Sequence, residues 1–294
     1  MQILANNIKE LRLFYRKELS AIYGAEEAHN VTDYVVEHVL NVSRTQLIIQ
    51  ADRVISELQK KILKDILIRL LNHEPVQYIL GYAYFIGLKL AVDKNVLIPR
   101  PETEELVYWM LDDPAMKSSS VNILDIGTGS GCVAISLKRK RSTTRVHAID
   151  ISAKAIDIAK KNAATYNLNI DFIKADILDR ALLQNYSLTP LPFHYIVSNP
   201  PYVLQSEKLH MRKNVIDFEP YTALFVNDDD PLVFYKAIAE FSFKYLAQED
   251  GKLFLEINEA KADDVKKVLT EAGFTKLEIK KDMQGKDRMI RAMR

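Results

Sequence analysis

The sequence predicts a doubly wound α/β domain preceded by a small all-helical domain, and three observations support this prediction. From residue 101 onward, short apolar runs alternate with amphipathic segments, as in parallel strands joined by crossover helices. Two of these runs lead directly into loops rich in glycine or proline, at the sheet edge where such folds bind ligands. The first 80 residues show apolar spacing of helical period instead. We therefore expect a helical bundle at 1–80, a β-hairpin linker at 81–100 and an α/β domain at 101–294.

The composition is that of an ordinary soluble protein. With 294 residues, 48% hydrophobic and 27% charged, the chain is long enough for two domains with a sizeable core. The formal net charge of +1 creates no global field that would attract nucleic acid or an anionic membrane. The sequence has no signal-type N-terminus, and no apolar run approaches the ~20 residues of a membrane span. The single cysteine, Cys132, excludes an internal disulfide and suits a reducing compartment. We expect a cytoplasmic monomer that binds no metal ion.

Three amphipathic helices are expected in the N-terminal bundle. The faces expected to be buried are Ile8, Leu11, Tyr15 and Leu19 in the first helix, Tyr34, Val35, His38 and Val39 in the second, and Leu58, Ile62, Ile66 and Leu70 in the third. Ser43 followed by Gln46 fits a capping box. Basic and acidic side chains are equal in number in this domain, which favours a protein as its partner over DNA or RNA.

The elements of the α/β domain follow in order. The segment from Tyr82 to Val92 around Gly87 predicts a β-hairpin, and the two prolines after Ile98 lead into a helix beginning near Thr103. The expected strands are Val121–Ile126, Arg145–Asp150, Ile170–Ile173, Tyr195–Ser198, Lys252–Ile257, Thr275–Ile279 and Arg288–Ala292. The last two strands are too close in sequence for a crossover helix, so we expect them to pair antiparallel. Seven strands ending in such a hairpin are typical of methyltransferases that use S-adenosylmethionine, rather than of nicotinamide-dependent dehydrogenases.

A glycine loop follows the first strand of the sheet. It runs from Asp125 to Gly131 and places Cys132 where the dinucleotide fingerprint requires glycine or alanine, which weakens a dehydrogenase interpretation. Glycine permits positive φ and close approach of a ligand, and the helix from Cys132 directs its N-terminal dipole at a carboxylate. The methionine moiety of S-adenosylmethionine fits such a loop. The alternative is a tight turn without a ligand.

Two acidic residues lie at the expected ends of neighbouring strands. Asp150 is placed to accept hydrogen bonds from both ribose hydroxyls, and Asp176 to accept one from an adenine amino group, with Ile177 beside the ring. The expected cofactor site is therefore Gly127, Thr128, Gly129, Ser130, Gly131, Asp150, Asp176 and Ile177.

The tetrapeptide Asn199-Pro200-Pro201-Tyr202 follows the fourth strand and predicts the chemistry. The nitrogen of a planar amide or aromatic amine is a poor nucleophile because its lone pair is delocalised. Two acceptors aimed at its two N–H bonds favour the pyramidal form that attacks a methyl group. The Asn199 side-chain oxygen and the Pro200 carbonyl form such a pair, and Tyr202 offers a face for stacking. The alternative is a proline-rich turn that only ends a strand.

Six ordered motifs resemble the HemK/PrmC family, the peptide chain release factor glutamine methyltransferases. They are Glu74 to Gly81, Leu97 to Glu104, Asp125 to Gly131, Ser198 to Tyr202, Phe218 to Pro220, and Gly285 to Arg288. The resemblance implies a class I S-adenosylmethionine-dependent fold and methylation of the glutamine in the Gly-Gly-Gln motif of class I release factors. Residues 1–73 match the family only in helical character.

The resemblance also implies roles for individual residues. It assigns Asn199, Pro200, Pro201 and Tyr202 to the substrate glutamine, adds Thr103 and Asn199 to the cofactor site, and places Arg100 and Glu102 at the border of the pocket. Two positions depart from the family pattern: Ile177 stands where some relatives carry an aromatic residue, and Tyr221 stands where arginine is frequent. By the same implication, the helical domain recognises the release factor.

Two other functions compete with this interpretation. A DNA adenine-N6 methyltransferase needs the same acceptors and stacking for adenine, but also base flipping and a basic surface. The neutral helical domain and the near-zero net charge argue against it. A non-catalytic protein that keeps the fold as a scaffold is the second rival, and the intact Asn199 and Asp150 argue against that.

Overall fold

The computed structural model describes residues 3, 5–118, 121–179 and 192–294. The chain forms two compact units. The first contains Met1–Gly81 together with Arg212–Phe218, and the second contains Tyr82–Met211 together with Glu219–Arg294. A segment that follows the Asn-Pro-Pro-Tyr motif by ten residues therefore belongs to the helical unit.

The first unit is helical, and its first three helices begin at residues whose side chains cap them. The helices of this unit are α1 (Ile8–Leu40), α2 (Arg44–Ile49), α3 (Glu57–Leu71) and α4 (Val76–Leu80), with a further turn at Lys213–Ile216. Asn7 caps α1, which is interrupted at Gly24, where φ is 76°. The predicted capping box of Ser43 and Gln46 is confirmed at the start of α2. These caps satisfy N–H groups that a helix leaves without partners in its first turn.

The buried faces of this unit agree only in part with the sequence pattern. The four residues predicted for the first helix are all fully buried. In the next segment Val35 is buried as predicted, whereas His38 is exposed.

The face predicted for the third helix is half wrong. Leu58 and Ile62 are 69% and 42% exposed, and the buried residues of α3 are Leu63, Ile66, Leu67 and Leu70. The cause is that α3 is apolar on two adjacent faces, so that helical periodicity does not distinguish the face that packs from the face that does not.

The second unit begins with a hairpin and continues as a seven-stranded sheet. The strands are β1 (Tyr82–Phe85), β2 (Leu88–Ala91), β3 (Asn122–Ile126), β4 (Arg145–Asp150), β5 (Asp171–Lys174), β6 (Tyr195–Ser198), β7 (Val203–Leu204), β8 (Phe225–Val226), β9 (Lys252–Glu256), β10 (Lys276–Lys281) and β11 (Asp287–Met293). The large sheet has the order β10-β11-β9-β6-β3-β4-β5. Strands β9, β6, β3, β4 and β5 are parallel, and β11 is antiparallel to both of its neighbours. The predicted seven-stranded sheet with an antiparallel last hairpin is confirmed.

Helices cover both faces of this sheet. The α-helices described in this unit are α5 (Pro101–Asp112), α6 (Pro114–Ser118), α7 (Cys132–Lys140), α8 (Ala153–Thr165), α9 (Tyr221–Leu224), α10 (Val233–Tyr245) and α11 (Ala262–Glu271). Successive residues of β3 enter different cores: Ile123 packs in the cluster that holds Met110, and Leu124 in the cluster that holds Ile238. Such alternation is expected of a sheet buried on both faces. Within the described residues, no helix is long and apolar enough to cross a membrane.

Candidate functional site

A cavity of about 310 Å³ opens at the carboxyl ends of β3, β4 and β6 in the second unit. The predicted site residues that line it are Arg100, Thr103, Gly127, Thr128, Gly129, Ser130, Asp150, Asp176, Ile177, Asn199, Pro200 and Pro201. Three other predicted residues, Glu102, Gly131 and Tyr202, are not among its lining residues. The fold thus brings the glycine loop and the Asn-Pro-Pro-Tyr segment to one place, where ligands bind in open parallel sheets.

The glycine loop has backbone conformations that favour glycine. Gly127, Gly129 and Gly131 have φ values of 74°, 55° and 81°. A Cβ at Gly129 would meet no atom within 4 Å, so this position opens onto free space. A Cβ at Gly131 would lie 2.9 Å from Ile135 and 3.1 Å from Ala159. Gly129 therefore leaves room for a ligand, whereas Gly131 permits the close approach of α7 to α8.

Asp150 ties the glycine loop to the end of β4. One carboxylate oxygen accepts from the backbone N–H of Gly129 at 2.9 Å, and the other accepts from Ser152 at 2.8 Å. Burial raises the pKa of Asp150, although these two bonds oppose that effect. Each carboxylate oxygen has two lone pairs, so Asp150 retains capacity to accept from ligand hydroxyls.

Asp125 lies beneath the loop and is buried. Its carboxylate accepts from the Thr128 hydroxyl at 2.7 Å and from the backbone N–H of Ala134 at 3.2 Å. Burial raises the pKa of Asp125 to about 7, and the nearby charge of Asp150 adds to this effect.

The third acidic residue borders the same cavity. Asp176 is half-buried and accepts from the backbone N–H of Leu178 at 2.8 Å, while Ile177 is buried next to it. An apolar wall beside a carboxylate is the environment expected for an adenine ring and its amino group.

Asn199 extends β6 into the cavity wall. Its side-chain NH2 donates to the Thr103 hydroxyl at 3.1 Å, which leaves the amide oxygen for a ligand. Pro200 is buried directly after it, so the backbone of this turn is held in place.

Tyr202 contacts both Glu256 and a hydrophobic core of the second unit. Its hydroxyl donates to Glu256 at 3.0 Å, and its ring packs against the core that contains Ile238. The stacking role remains a prediction.

Sequence reasoning missed Glu256. It is 1% exposed at the end of β9, and burial raises its pKa against the opposing effects of Thr103, Tyr202 and Arg288. The signal available in the sequence was a carboxylate that directly follows the apolar run Leu253 to Leu255, a costly position unless hydrogen bonds satisfy the group.

Arg100 joins two of the motifs that resemble the family. Its guanidinium lies 2.6 Å from Glu219, which also accepts from the backbone N–H of Ile98 at 3.2 Å. Tyr221, the position that departs from the family pattern, lines the cavity and packs against the Phe225 ring with centroids 4.8 Å apart.

Among the described residues, the cysteine and the possible metal ligands add no second reactive centre. Burial raises the pKa of the Cys132 thiol to about 12, so the nucleophilic thiolate is scarce at neutral pH. Across residues 3, 5–118, 121–179 and 192–294, no cluster of three or more His, Cys, Asp and Glu side chains is arranged to hold a metal ion.

Two family models match the chain in sequence. The PrmC N-terminal domain matches residues 10–81, and the methyltransferase small domain matches residues 106–217.

Proteins with similar sequences extend over almost the whole chain. A release factor glutamine methyltransferase of Flavobacterium psychrophilum is 40% identical over 97% of this chain and 98% of its own length. That of Bacteroides thetaiotaomicron is 38% identical over 98% of this chain and 100% of its own length. Among solved structures, a methyltransferase from Pyrococcus furiosus is 16% identical with a TM-score of 0.50, over 78% of this chain and 98% of its own. That structural likeness supports the fold alone.

Proposed function

The chain belongs to the release factor glutamine methyltransferase family, and from this we propose how its cavity performs the reaction. The methyl donor is S-adenosylmethionine, and the acceptor is the side-chain amide nitrogen of the glutamine in the Gly-Gly-Gln motif of class I release factors. We assign the glycine-loop wall to the donor and the Asn199 wall to the glutamine.

The observation that carries the assignment is the proximity of the two walls. A Cβ at Gly127 would lie 4.0 Å from the backbone oxygen of Asn199, so the glycine loop and the Asn-Pro-Pro-Tyr segment are immediate neighbours. A group held by one wall is therefore within reach of a group held by the other. Methyl transfer requires this adjacency, because the attacking nitrogen must contact the methyl carbon.

The residues present fit S-adenosylmethionine. Open space at Gly129, the acceptor capacity of Asp150 and the apolar surface of Ile177 match its methionine, ribose and adenine parts respectively. When bound there, the cofactor supplies an electrophilic methyl group on a sulfonium. Thr103 and Asn199 border this region, and the Thr103 hydroxyl is already engaged with Glu256.

The Asn199 wall activates the glutamine amide. The Asn199 oxygen and the Pro200 carbonyl accept the two N–H bonds of the glutamine, and this favours a pyramidal nitrogen over the delocalised planar one. No base is needed before the attack, because the nitrogen proton becomes acidic only once the methyl group has been transferred. Catalysis on this account comes from orientation and preorganised acceptors.

The relatives favour the release-factor interpretation over the DNA adenine alternative. They are named release factor glutamine methyltransferases, and this chain matches them over nearly their full length. A scaffold without activity is disfavoured for the same reason. We further propose that the protein works as a cytoplasmic monomer, and that Tyr202 borders the glutamine through its ring.

The helical unit is proposed to recognise the release factor. Its exposed apolar side chains include Ile48, Ile49, Val54 and Leu58, which lie between the end of α2 and the start of α3. Apolar exposure of this kind is typical of protein interaction sites. Ile49→Ser is expected to raise the KM for the release factor while leaving the KM for the cofactor unchanged. Leu13→Ser, at another exposed apolar position of the same unit, is the control.

The decisive experiment measures transfer of tritiated methyl from S-adenosylmethionine. A full-length class I release factor, the same factor with its motif glutamine replaced by alanine, and a DNA duplex are compared as acceptors. We expect label in the intact factor alone. Label in the duplex, or equal label in the factor without its glutamine, would overturn the proposed function.

A further inference from the structure

A chain of hydrogen bonds leads from the cavity wall into the core of the second unit. The Asn199 NH2 donates to the Thr103 hydroxyl at 3.1 Å, and that hydroxyl donates to one carboxylate oxygen of Glu256 at 2.6 Å. The other oxygen of Glu256 accepts from the Tyr202 hydroxyl at 3.0 Å. Thr103 is 3% exposed and Glu256 is 1% exposed, so the bond between them is shielded from water.

Three separate elements meet in this chain of bonds. Ser198 of β6 pairs with Leu255 of β9, so Asn199 and Glu256 are the next residues on two neighbouring parallel strands. Thr103 comes from the first turn of α5. The sheet register therefore places Asn199 and Glu256 side by side. Thr103, from the helix, forms the hydrogen bonds that link them.

The chain of bonds has a direction. A threonine hydroxyl carries one proton, and the carboxylate form of Glu256 can only accept, so beside it that proton is used on Glu256. Only lone pairs of the Thr103 oxygen remain to face Asn199, so Asn199 must present its NH2 group to Thr103. The amide oxygen is then forced to the opposite side.

We propose that Thr103 and Glu256 are positioning residues that fix the Asn199 amide with its oxygen, rather than its NH2 group, toward the glutamine. This inference rests on the proposed function, since it specifies how the acceptor for the substrate N–H is held. If the Asn199 amide were flipped, its NH2 group would face an N–H of the glutamine, and one of the two acceptors for the glutamine would be lost. Neither residue needs to touch the glutamine for this role.

The test is a pair of substitutions at Thr103. Thr103→Val keeps the shape of the side chain and removes the hydroxyl, whereas Thr103→Ser keeps the hydroxyl and removes a methyl group. Single-turnover methyl transfer to a full-length release factor is measured for both variants beside the wild type. Cofactor dissociation constants are measured by calorimetric titration.

The positioning role predicts that Thr103→Val lowers the rate of methyl transfer more than Thr103→Ser does. We expect Thr103→Val to lower the rate of transfer roughly 10- to 100-fold, the scale for a misoriented catalytic group, with the cofactor dissociation constant and the KM for the release factor changed much less. Thr103→Ser should lose less. A packing role predicts the reverse order, because Val preserves the packed shape, and that order would overturn the inference.

Glu256→Met provides a second test of the same inference. It removes the acceptor that fixes the Thr103 hydroxyl, so the rate should fall as in Thr103→Val, and the double variant should lose no more than Thr103→Val alone. Losses that multiply would show that the two residues act separately and would overturn the linked role. If Glu256→Met does not fold, the Thr103 pair decides the question.

The wild-type arm separates the two hypotheses. A wild type inactive on the release factor would overturn the proposed function and, with it, this inference. An active wild type with Val equal to or better than Ser would overturn only the inference.

Discussion

The two walls of the cavity are held in place by different kinds of interaction. The glycine-loop wall relies on backbone geometry and on contacts of moderate sequence separation, such as the bond from Gly129 to Asp150, which are 21 positions apart. The Asn199 wall relies on side chains distant in sequence, since Thr103 and Glu256 are 153 positions apart. A single side-chain change should therefore disturb catalysis on the second wall without disturbing the first.

The largest expected effect is at Asn199. Asn199→Ala should lower turnover by about 10²–10³, the scale for removing one preorganised group at a reacting centre, and should leave cofactor affinity within a few-fold. Asn199→Asp keeps an acceptor but loses the NH2 that bonds Thr103, so turnover should fall while cofactor binding holds or tightens near the added charge. Single-turnover assays that return wild-type transfer in both variants would end the proposed role of this wall.

A pH experiment tests whether the buried Asp125, beneath the glycine loop, destabilises the folded protein when it is charged. The folded-state pKa of Asp125, about 7, lies above its unfolded value, so its contribution to the free energy of unfolding is present at low pH and lost as pH rises toward 7. Asp125→Asn does not titrate and keeps an oxygen to accept from Thr128 and Ala134. The stability of the variant relative to wild type should therefore increase between pH 4 and pH 7.5.

The expected increase is a few kcal/mol, at about 1.4 kcal/mol per pKa unit. Urea denaturation at the two pH values measures it, and Asp157→Asn on the exposed face of α8 is the control. A stability difference that does not change with pH would show that Asp125 is charged at neutral pH.

At Asp150 the expected effect is on binding. Asp150→Ala should weaken S-adenosylmethionine binding by roughly 1.5–3 kcal/mol, the scale for hydrogen bonds to a charged group. Asp150→Asn keeps one oxygen and should lose less. Calorimetric titration tests both, and an unchanged dissociation constant in the alanine variant would remove Asp150 from the cofactor site.

The contrast between the walls also explains what the sequence predicts about the fold. Apolar runs and glycine or proline punctuation are local signals, and they located all seven strands of the large sheet and the antiparallel last pair. The face of α3 was not predicted correctly, because Leu58 and Ile62 extend an apolar surface that only tertiary contacts divide into buried and exposed parts.

The same limit applies to the site. Positive φ at the glycines is a property of single residues, so the loop could be predicted from sequence. The bonds from Asn199 through Thr103 to Glu256 depend on strand register and on the placement of α5. The sequence pattern contains no signal that pairs positions so far apart. The bond from the Tyr202 hydroxyl to Glu256 was missed for the same reason.

The smallest expected effect on stability comes from the glycine loop and uses two matched positions. Gly129→Ala places a Cβ in open space at a φ of 55°. The free energy of unfolding should therefore fall only by the left-handed backbone strain, about 1 kcal/mol. Gly131→Ala carries the same kind of strain and also forces a Cβ to within 2.9 Å of Ile135, so its loss of stability should be larger. Cofactor affinity should rank them in the opposite order, because only Gly129 lines the cavity. Urea denaturation and calorimetric titration of both variants give the two rankings, and the same ranking in both would mean that the loop binds ligand only through its effect on folding.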